Sequence, residues 1–471
     1  MPMQVFLEAC KKAVGTEYVV TDEAMMQPFV TEWRKRFSGR ALAVVRPSTT
    51  EEVAAIVRLC NLHHVPLVPQ GGNTGLVLGS VPDDAGNAIV LSLKRLNRIR
   101  EVDAANNTMT VEAGCVLDHV HHAAADVNRL FPLSLPSSGT CTIGGNLSAN
   151  AGGTAVFRYG TARDLCLGLE VVTAEGKIWD GLRALRKDNT GYDLRDLFIG
   201  AEGTLGVITA AVLKLYPQPK TKLTAIAAIA NPARTLDLLN TAQRHCGLAL
   251  TAFELISKYA MELVLKHFPA LSAPLPLIYE QYALIELSDS ESENHAVAML
   301  EAFLEYALEE EMITDAVVAQ SIAQSQSIWQ LRENISAAQA MEGDNIKHDI
   351  ALPVSSVLDF IAETDHLLQK HFPGCRMVTF GHLGDGSLHY NVRGPEGMPD
   401  KVFLSHAPEI NRIVYDSVTR FNGTISAEHG LGALKREELL RHKSDIEIAM
   451  MKKIKSGFDP KNLMNPGKIL I

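Results

Sequence analysis

The chain has 471 residues, more than one compact core usually holds, and this length predicts two or three domains. Hydrophobic residues make up 46% and charged residues 21% of the sequence, as in ordinary globular proteins, which excludes a largely disordered chain. The formal net charge of -10 excludes a protein whose overall charge attracts nucleic acid or an anionic membrane.

Cysteine usage and the N-terminal residues together predict a cytoplasmic protein. The seven cysteines, an odd number without a CxxC pair, are typical of reduced intracellular proteins rather than of a disulfide framework. The opening residues MPMQVFLEACKKAVG lack the basic and apolar stretches of a secretory signal, and they lack the Arg- and Ser-rich character of a mitochondrial one. No apolar run is long enough to cross a bilayer.

The first elements in chain order are a predicted strand, helix and strand over residues 46–68. Ser48 is predicted to cap the helix, with Glu51 reaching back to it, because Ser-x-x-Glu is the capping-box pattern. The second strand, residues 65–68, runs into Pro69 and a cluster of glycines. Mixed helices and strands continue to about residue 217.

A domain boundary is predicted at residues 216–219, where two prolines interrupt a polar stretch. Strands and helices alternate again to about residue 393, including a solvated acidic helix at residues 301–311, and residues 400–455 are mostly helical. We therefore expect a first domain over residues 1–219, a second over 220–420 and a C-terminal helical segment over 421–471.

Three glycine-rich loops lie in the first predicted domain. They read PQGGNTG from Pro69, SGTCTIGGN from Ser138 and GAEGTLG from Gly200. A backbone without Cβ atoms can approach a ligand closely, and successive N–H groups can bind a pyrophosphate. None of the loops fits GxGxxG or GxxxxGK(S/T), so neither a Rossmann site nor a P-loop is predicted. Each loop taken alone also fits an ordinary tight turn.

A second group of polar residues lies in GHLGDGSLHYN, over residues 381–391, and in SAEHG, from Ser426. Two strands around the Gly-Asp-Gly turn form a predicted hairpin, which would bring His382 close to His389. These two histidines and Glu428 match a three-ligand metal site with an open position, as in catalytic zinc centres. The same residues also fit hydrogen-bonded core and turn positions, and their spacing leaves both interpretations open.

Arg332, Ser336 and Lys347 form a third candidate group. If residues 331–336 are helical, Arg332 and Ser336 lie one turn apart on the same face. The two cations would suit a carboxylate. Taken alone, however, these residues favour the simpler interpretation of charges on the surface.

Taken together, the motifs resemble one family. PQGGNTG, SSGTCTIGGNLSANAGG, RKDNTGYDL and IGAEGTLG are similar to the flavin-binding domain of the vanillyl-alcohol-oxidase/PCMH superfamily. GHLGDGSLHYN, SAEHG and LMNPGKIL are similar to its D-2-hydroxyacid dehydrogenases, and among these to the D-2-hydroxyglutarate dehydrogenases. The resemblance runs from about Arg40 to the last residue. It implies an α+β fold: a PCMH-type FAD-binding domain, an α+β substrate-binding (cap) domain and a C-terminal helical segment that returns to the flavin.

The resemblance implies that the first domain binds FAD. Some superfamily members attach FAD through a histidine in the first glycine loop, where this chain has Asn73, so noncovalent FAD is expected. The residues expected to contact FAD are Pro69, Gly71, Gly72, Asn73, Thr74, Gly75, Pro136, Ser137, Gly139, Thr142, Gly145, Asn146, Ala149, Ile208 and Asn465.

The resemblance also implies a metal and a general base. His382, His389 and Glu428 fall on the ligands of a divalent metal, expected to be zinc, although manganese and cobalt accept similar ligands. His429 falls on the general base, which also contacts the substrate.

The remaining implied residues bind substrate. Arg332, Ser336 and Lys347 fall on positions that bind the far carboxylate, and Asn391 falls on one that contacts the near end. Ser336 stands where we expect threonine, which keeps the hydroxyl group. Ser387 stands where we expect asparagine, at a position that is not an expected ligand.

The expected reaction is oxidation of a small D-2-hydroxy acid, with hydride transfer from C2 to flavin N5 while His429 takes the hydroxyl proton. Arg332 and Lys347 favour a dicarboxylate, so D-2-hydroxyglutarate is the first expected substrate and D-malate the second. A D-lactate or glycolate dehydrogenase of the same fold, a zinc hydrolase and a non-catalytic flavin-binding subunit are the alternatives. An electron-transfer flavoprotein, a quinone or a cytochrome could accept the electrons, and a homodimer is expected from the resemblance.

Overall fold

The computed structural model describes residues 2–470, which form a mixed array of helices and strands. The helices are α1 (Pro2–Val14), α2 (Glu23–Val30), α3 (Thr50–His63), α4 (Leu117–Ala125), α5 (Ile143–Ala149), α6 (Val156–Tyr159), α7 (Arg195–Phe198), α8 (Thr235–Cys246), α9 (Lys258–His267), α10 (Glu293–Glu309), α11 (Ile322–Glu333), α12 (Ile335–Glu342), α13 (Val357–His371), α14 (Asp400–Leu404), α15 (Ala407–Arg420), α16 (Arg436–His442) and α17 (Asp445–Phe458). The strands are β1 (Val19–Val20), β2 (Ala43–Val45), β3 (Leu67–Gln70), β4 (Ile89–Ser92), β5 (Ile99–Asp103), β6 (Thr108–Glu112), β7 (Arg129–Leu130), β8 (Cys166–Thr173), β9 (Ile178–Gly181), β10 (Gly206–Lys214), β11 (Tyr216–Pro217), β12 (Thr221–Ile229), β13 (Leu250–Ser257), β14 (Gln281–Asp289), β15 (Ile313–Val318), β16 (Asp349–Ala351), β17 (Arg376–His382) and β18 (Ser387–Arg393).

The chain divides into two compact units, each assembled from segments that are distant in the sequence. Unit 1 comprises the residues up to Gly152, residues 160–218 and the residues from Glu428 onward. Unit 2 comprises residues 153–159 and 219–427. The C-terminal helices α16 and α17 therefore belong to the same unit as the three glycine-rich loops.

Unit 1 contains two main sheets. The first has the strand order β1-β2-β4-β3, with β2 and β3 parallel to β4. Helix α3 buries Val53, Ile56 and Cys60 in the core beside this sheet, at the spacing of one helix face. The second sheet is antiparallel, with the order β5-β6-β10-β8-β9. Its middle strand β10 is buried except for its last residue, as expected for an apolar central strand.

The predicted cap of helix α3 was wrong by one residue. Thr49, rather than Ser48, has the extended backbone of an N-cap, and its hydroxyl accepts the N–H of Glu52 at 3.2 Å. Glu52, rather than Glu51, reaches back and accepts the N–H of Ser48 at 2.7 Å. The run Ser-Thr-Thr-Glu-Glu offers two overlapping registers, and the helix uses the later one.

The C-terminal residues extend the first sheet of unit 1. The Leu67 N–H donates to the Leu463 carbonyl at 2.9 Å, and the Asn465 N–H donates to the Leu67 carbonyl at 2.8 Å. Leu67 and Met464 therefore form a parallel bridge at the edge of β3. This pairing places Asn465 beside the strand that leads into the first glycine loop.

Unit 2 is built on one seven-stranded antiparallel sheet, with the order β15-β12-β14-β13-β17-β18-β16. Apolar residues of the sheet form a core with helices α9, α11 and α12. Helix α10 covers the predicted acidic segment but begins earlier, at Glu293, and it buries Leu300 and Phe303 while its acidic side chains stay outside. Within residues 2–470 no helix is both long enough and apolar enough to cross a membrane.

Candidate active site

The first two glycine loops of unit 1 touch each other. A Cβ atom on Gly71 would lie 2.2 Å from Thr142 Oγ1, and one on Gly72 would lie 2.3 Å from the Thr140 carbonyl oxygen. Both distances are far below van der Waals contact, so residues with side chains would push the loops apart. The loop that follows β3 thus lies directly against the start of α5.

The side chain of Asn73 anchors the first glycine loop through hydrogen bonds. This residue has a positive φ of 59°, which asparagine tolerates better than most residues. Its Nδ2 donates to the Thr31 carbonyl at 2.9 Å and to the Pro28 carbonyl at 3.2 Å, and its Oδ1 accepts from Ser80 Oγ at 2.9 Å. The Asn73 side chain therefore fixes the shape of the loop.

Several buried polar atoms around these loops have no hydrogen-bond partner among the described residues. They are Gln70 Oε1, Thr142 Oγ1 and Asn465 Oδ1. Buried polar atoms nearly always find a partner, so unpaired ones beside a glycine-lined cradle fit a bound polar ligand. The residues of unit 1 thus fit the expected FAD, and Gln70 is a candidate contact that the sequence did not single out.

The other residues predicted to contact FAD differ in exposure. Ile208 is buried in β10 beside a register shift, and Asn146 is buried in α5 with its Nδ2 3.6 Å from Cys141 Sγ. Half-buried positions are Pro69, Thr74, Ser137 and Ala149. Exposed positions are Gly75, Pro136, Gly139 and Gly145.

Asn465 and Glu202 join the C-terminal segment to Gly79, just beyond the first glycine loop, and to the third glycine loop. Asn465 Nδ2 donates to the Gly79 carbonyl at 2.8 Å and to the Glu202 carbonyl at 2.7 Å. The Glu202 carboxylate accepts the N–H groups of Leu431 at 2.8 Å and Gly432 at 2.9 Å. Burial raises the pKa of Glu202, and the two N–H groups oppose that rise.

Glu202 therefore fixes the backbone just after His429. The signal that could have identified this residue is that Glu202 is the only acidic residue in the third glycine loop, GAEGTLG.

In unit 2 the predicted hairpin is confirmed. Strands β17 and β18 pair with Phe380 opposite His389, and Gly386 closes the turn with a positive φ of 81°. A Cβ on Gly386 would lie 2.1 Å from the Leu352 carbonyl oxygen, so the turn needs glycine. The rings of His382 and His389 have centroids 6.1 Å apart, and a ring nitrogen of each lies within 4.8 Å of the other. Two imidazoles this close fit a shared metal ion.

Behind this histidine pair lies Glu254, which the sequence reasoning missed. It is fully buried on β13, directly opposite His382 in the strand register. One carboxylate oxygen contacts His382 Nδ1, and the other accepts from Arg332 Nε at 2.6 Å. Burial alone would raise the pKa of Glu254, but the charges of His382 and Arg332 outweigh it and lower the pKa to about 2.

Arg332 is buried at the end of α11, with its guanidinium carbon 4.7 Å from the centre of the Phe380 ring. The interpretation of Arg332 as a surface charge is therefore wrong. The condition for placing Arg332 and Ser336 on one helix face is not met, because the helix is interrupted at Asn334 between α11 and α12. Ser336 is exposed, and within the described residues no hydrogen bond joins its side chain to Arg332.

Asn391 lies in a buried hydrogen-bond network on β18. Its Oδ1 accepts the His348 N–H at 3.2 Å, and its Nδ2 donates to Gln339 Oε1 at 3.1 Å. Ile346 pairs with Val392, so the antiparallel register places the half-buried Lys347 beside Asn391. These two substrate-binding candidates therefore lie at one edge of the sheet.

Three further acidic or basic candidates are Asp349 in unit 2 and Glu428 and His429 in unit 1. Asp349 is buried and pairs with His389 across β16 and β18, which adds a carboxylate that sequence reasoning did not single out. Glu428 and His429 follow Ala427, the last residue of unit 2, directly in the chain and open the final segment of unit 1.

Comparisons with known proteins agree with this arrangement. The family described as "FAD binding domain" matches residues 41–181, and the family described as "FAD linked oxidases, C-terminal domain" matches residues 218–469. The solved structure of p-cresol methylhydroxylase with substrate bound has a TM-score of 0.79 over 99% of this chain and 96% of that one. The two sequences are only 15% identical, so this likeness shows the fold alone.

Curated relatives match over nearly the whole chain. A D-2-hydroxyglutarate dehydrogenase of Xanthomonas citri pv. viticola is 38% identical over 98% of this chain and 95% of its own length. A mitochondrial D-2-hydroxyglutarate dehydrogenase of Arabidopsis thaliana is 37% identical over 98% of this chain and 80% of its own length. An FAD-linked oxidoreductase also accounts for the glycine loops, which a zinc hydrolase would leave unexplained. The α+β fold, which p-cresol methylhydroxylase shares, and the family that the motifs predicted are thus confirmed: the chain belongs to the FAD-linked D-2-hydroxyacid dehydrogenases.

Proposed function

We propose that the chain oxidises D-2-hydroxyglutarate to 2-oxoglutarate, with D-malate as its second substrate. The observation that carries this choice is the buried Arg332. Its Nε edge is bound by Glu254, and within the described residues no hydrogen-bond partner is found for its two Nη atoms. A guanidinium with one edge fixed can offer the other edge to a carboxylate. D-Lactate and glycolate have no second carboxylate to pair with this buried cation.

The other substrate-binding residues act with Arg332. Lys347 would bind the same far carboxylate, with Ser336 donating its hydroxyl, and Asn391 would contact the near end of the substrate. The curated relatives named as D-2-hydroxyglutarate dehydrogenases support this substrate over D-malate.

FAD would bind noncovalently, held by the three glycine loops of unit 1. Support comes from Asn73, which stands where covalent relatives have a histidine and whose amide already bonds to Thr31, Pro28 and Ser80. Bound FAD would supply the hydride acceptor, its N5 atom, for the oxidation of substrate C2.

His382, His389 and Glu428 would hold a divalent metal, zinc in the first place. The close histidine pair and the carboxylate behind His382 support this role, because metal-binding histidines usually donate their other N–H to a carboxylate or carbonyl. Such an ion would supply a Lewis acid for the C1 carboxylate and C2 hydroxyl of the substrate.

His429 would accept the proton of the C2 hydroxyl, since imidazole exchanges protons near neutral pH. The Glu202 carboxylate supports this role because it anchors the backbone of Leu431 and Gly432, two and three residues further along the chain. An electron-transfer flavoprotein or a quinone would accept the electrons, and a cytoplasmic homodimer remains our prediction for location and assembly.

Anaerobic flavin bleaching tests the proposal. The FAD-loaded protein is mixed with D-2-hydroxyglutarate, its L enantiomer, D-malate, D-lactate and glycolate, and the visible absorbance of the flavin is followed with and without prior EDTA treatment. A Lys347→Met variant is measured in parallel, because it removes one cation while keeping a side chain of similar length. We expect fast bleaching by D-2-hydroxyglutarate, slower bleaching by D-malate, and loss of both after EDTA treatment.

The variant separates the parts of the proposal. Lys347→Met should weaken apparent D-2-hydroxyglutarate binding by about 10- to 100-fold, which corresponds to one lost charged hydrogen bond. Bleaching by D-lactate or glycolate alone would refute the dicarboxylate pocket. No bleaching by any of the five acids would refute oxidation of these 2-hydroxy acids by this protein.

A further inference from the structure

One buried carboxylate lies between the two halves of the proposed substrate site. Glu254 has no solvent exposure, and each of its oxygens is taken by a different residue: His382 Nδ1 on one side and Arg332 Nε on the other. The proposed function gives these two partners separate tasks, metal binding for His382 and recognition of the far carboxylate for Arg332. Strand pairing aligns Glu254 with His382, since the two residues are directly opposite on β13 and β17.

We propose that Glu254 is a positioning residue that holds His382 ready to bind the metal and Arg332 ready to bind the second carboxylate of the substrate. This inference rests on the proposed function and names the residue that couples its two binding subsites.

Glu254 selects the ring tautomer of His382. A carboxylate at Nδ1 favours the tautomer with hydrogen on Nδ1, which places the lone pair of the ring on Nε2, the form in which imidazole binds a metal. The same contact stops the His382 ring from rotating on its side chain. The His389 ring, 6.1 Å away between centroids, is held against Phe380 at 4.8 Å. Each histidine of the pair is thus fixed by a neighbour within unit 2.

Glu254 also fixes the plane of the Arg332 guanidinium group. The Nε contact with Glu254 and the Phe380 ring 4.7 Å from the guanidinium carbon leave Arg332 little freedom to rotate. Within the described residues neither Nη atom has a hydrogen-bond partner, so both can be offered to a carboxylate. An arginine already held in its binding geometry loses little entropy when a carboxylate arrives.

The test is Glu254→Gln, which keeps the size of the side chain but replaces one acceptor oxygen with an amide donor. That donor must face either the Nδ1–H of His382 or the Nε–H of Arg332, so one contact is lost, and the loss of the carboxylate charge weakens the other. The matched control is Glu112→Gln, because Glu112 is also fully buried and also paired with arginines, Arg98 and Arg100. Within residues 2–470 its carboxylate forms no hydrogen bond or ion pair with a proposed site residue.

Three quantities are measured on the FAD-loaded wild type and on each variant. They are the zinc affinity by chelator competition with elemental analysis, the KM for D-2-hydroxyglutarate and for D-lactate, and the temperature of unfolding. In Glu254→Gln we expect zinc affinity to fall about 10- to 100-fold, as for other carboxylates behind metal-binding histidines, and the preference for the dicarboxylate to shrink about tenfold. A Glu254→Asp variant, which keeps the charge, should recover part of both losses.

The outcomes distinguish this inference from the proposed function. Wild-type zinc affinity and wild-type dicarboxylate preference in Glu254→Gln would overturn the positioning role while leaving the proposed function intact. Loss of only zinc affinity, or of only dicarboxylate preference, would overturn the coupling of the subsites. If Glu112→Gln lost as much zinc affinity and dicarboxylate preference, the losses in Glu254→Gln would reflect general destabilisation, and the positioning role would be overturned too. A wild type that neither binds zinc nor bleaches with D-2-hydroxyglutarate would overturn both proposals together.

Discussion

The contact between the first two glycine loops makes Gly72 the position where one added methyl group should most disturb FAD binding. In Gly72→Ala the new Cβ would lie 2.3 Å from the Thr140 carbonyl oxygen and 2.9 Å from the Cys141 Cα. Both neighbours are backbone atoms, so no side-chain rotation can relieve the clash. Ordinary contact begins near 3.4 Å, and one loop must therefore move by about 1 Å relative to the other.

The size of the effect follows from the cost of overpacking. Forcing an extra carbon into a tightly packed site costs about 1–3 kcal/mol. If the strain is relieved by displacing a loop that binds FAD, each 1.4 kcal/mol weakens FAD binding tenfold, so we expect a loss of about 10- to 100-fold.

The assay is titration of the apoprotein with FAD, followed by the quenching of flavin fluorescence. Gly457→Ala is the control, because nothing lies within 4 Å of a Cβ at that helical position. Unchanged FAD affinity in Gly72→Ala would refute the reasoning, since the two loops could then separate without harm to the site.

Two further predictions concern buried polar groups. Burial raises the pKa of Asp365 from 3.8 to about 6, although the hydrogen bond from Tyr390 Oη opposes the rise. The contribution of this group to the free energy of unfolding is therefore fully present below pH 3.8, and about 3 kcal/mol is lost as pH rises through about 6. Asp365→Asn should remove this slope from urea unfolding curves measured between pH 4 and pH 8, and parallel curves for variant and wild type would contradict the assignment. Asn465→Ala should deprive the carbonyls of Gly79 and Glu202 of a buried donor and lower the free energy of unfolding of the apoprotein by about 2 kcal/mol. An Asn465→Ala protein as stable as the wild type would argue against that anchoring role.

Local features of this chain could be predicted from its sequence because their causes are local. The hairpin that joins His382 to His389 follows from a Gly-Asp-Gly turn between two apolar strands, and the structure has it there. The helix interruption at Asn334 was missed because residues 331–336 contain neither proline nor glycine, so nothing in the segment itself marks a break. The predicted cap of α3 was one residue too early because two adjacent threonines follow Ser48, and either can begin a helix.

The missed carboxylates have causes that are distant in the chain. Glu254 meets Arg332 across 78 residues and His382 across 128, and these contacts exist only because β13 pairs with β17. Glu202 meets Leu431 across 229 residues. A lone glutamate within an apolar strand was nevertheless a visible anomaly, since burying a carboxylate is costly unless it is paired.

The division of unit 1 into separated segments has a consequence for synthesis. Asn465 binds Gly79, just beyond the first glycine loop, and Glu202 in the third, so these segments are joined only after residue 465 has left the ribosome. All of residues 219–427, the larger part of unit 2, are made before that moment. A nascent chain that already contains every glycine loop therefore still lacks Asn465, which joins their segments. FAD binding should follow the synthesis of residues 219–427.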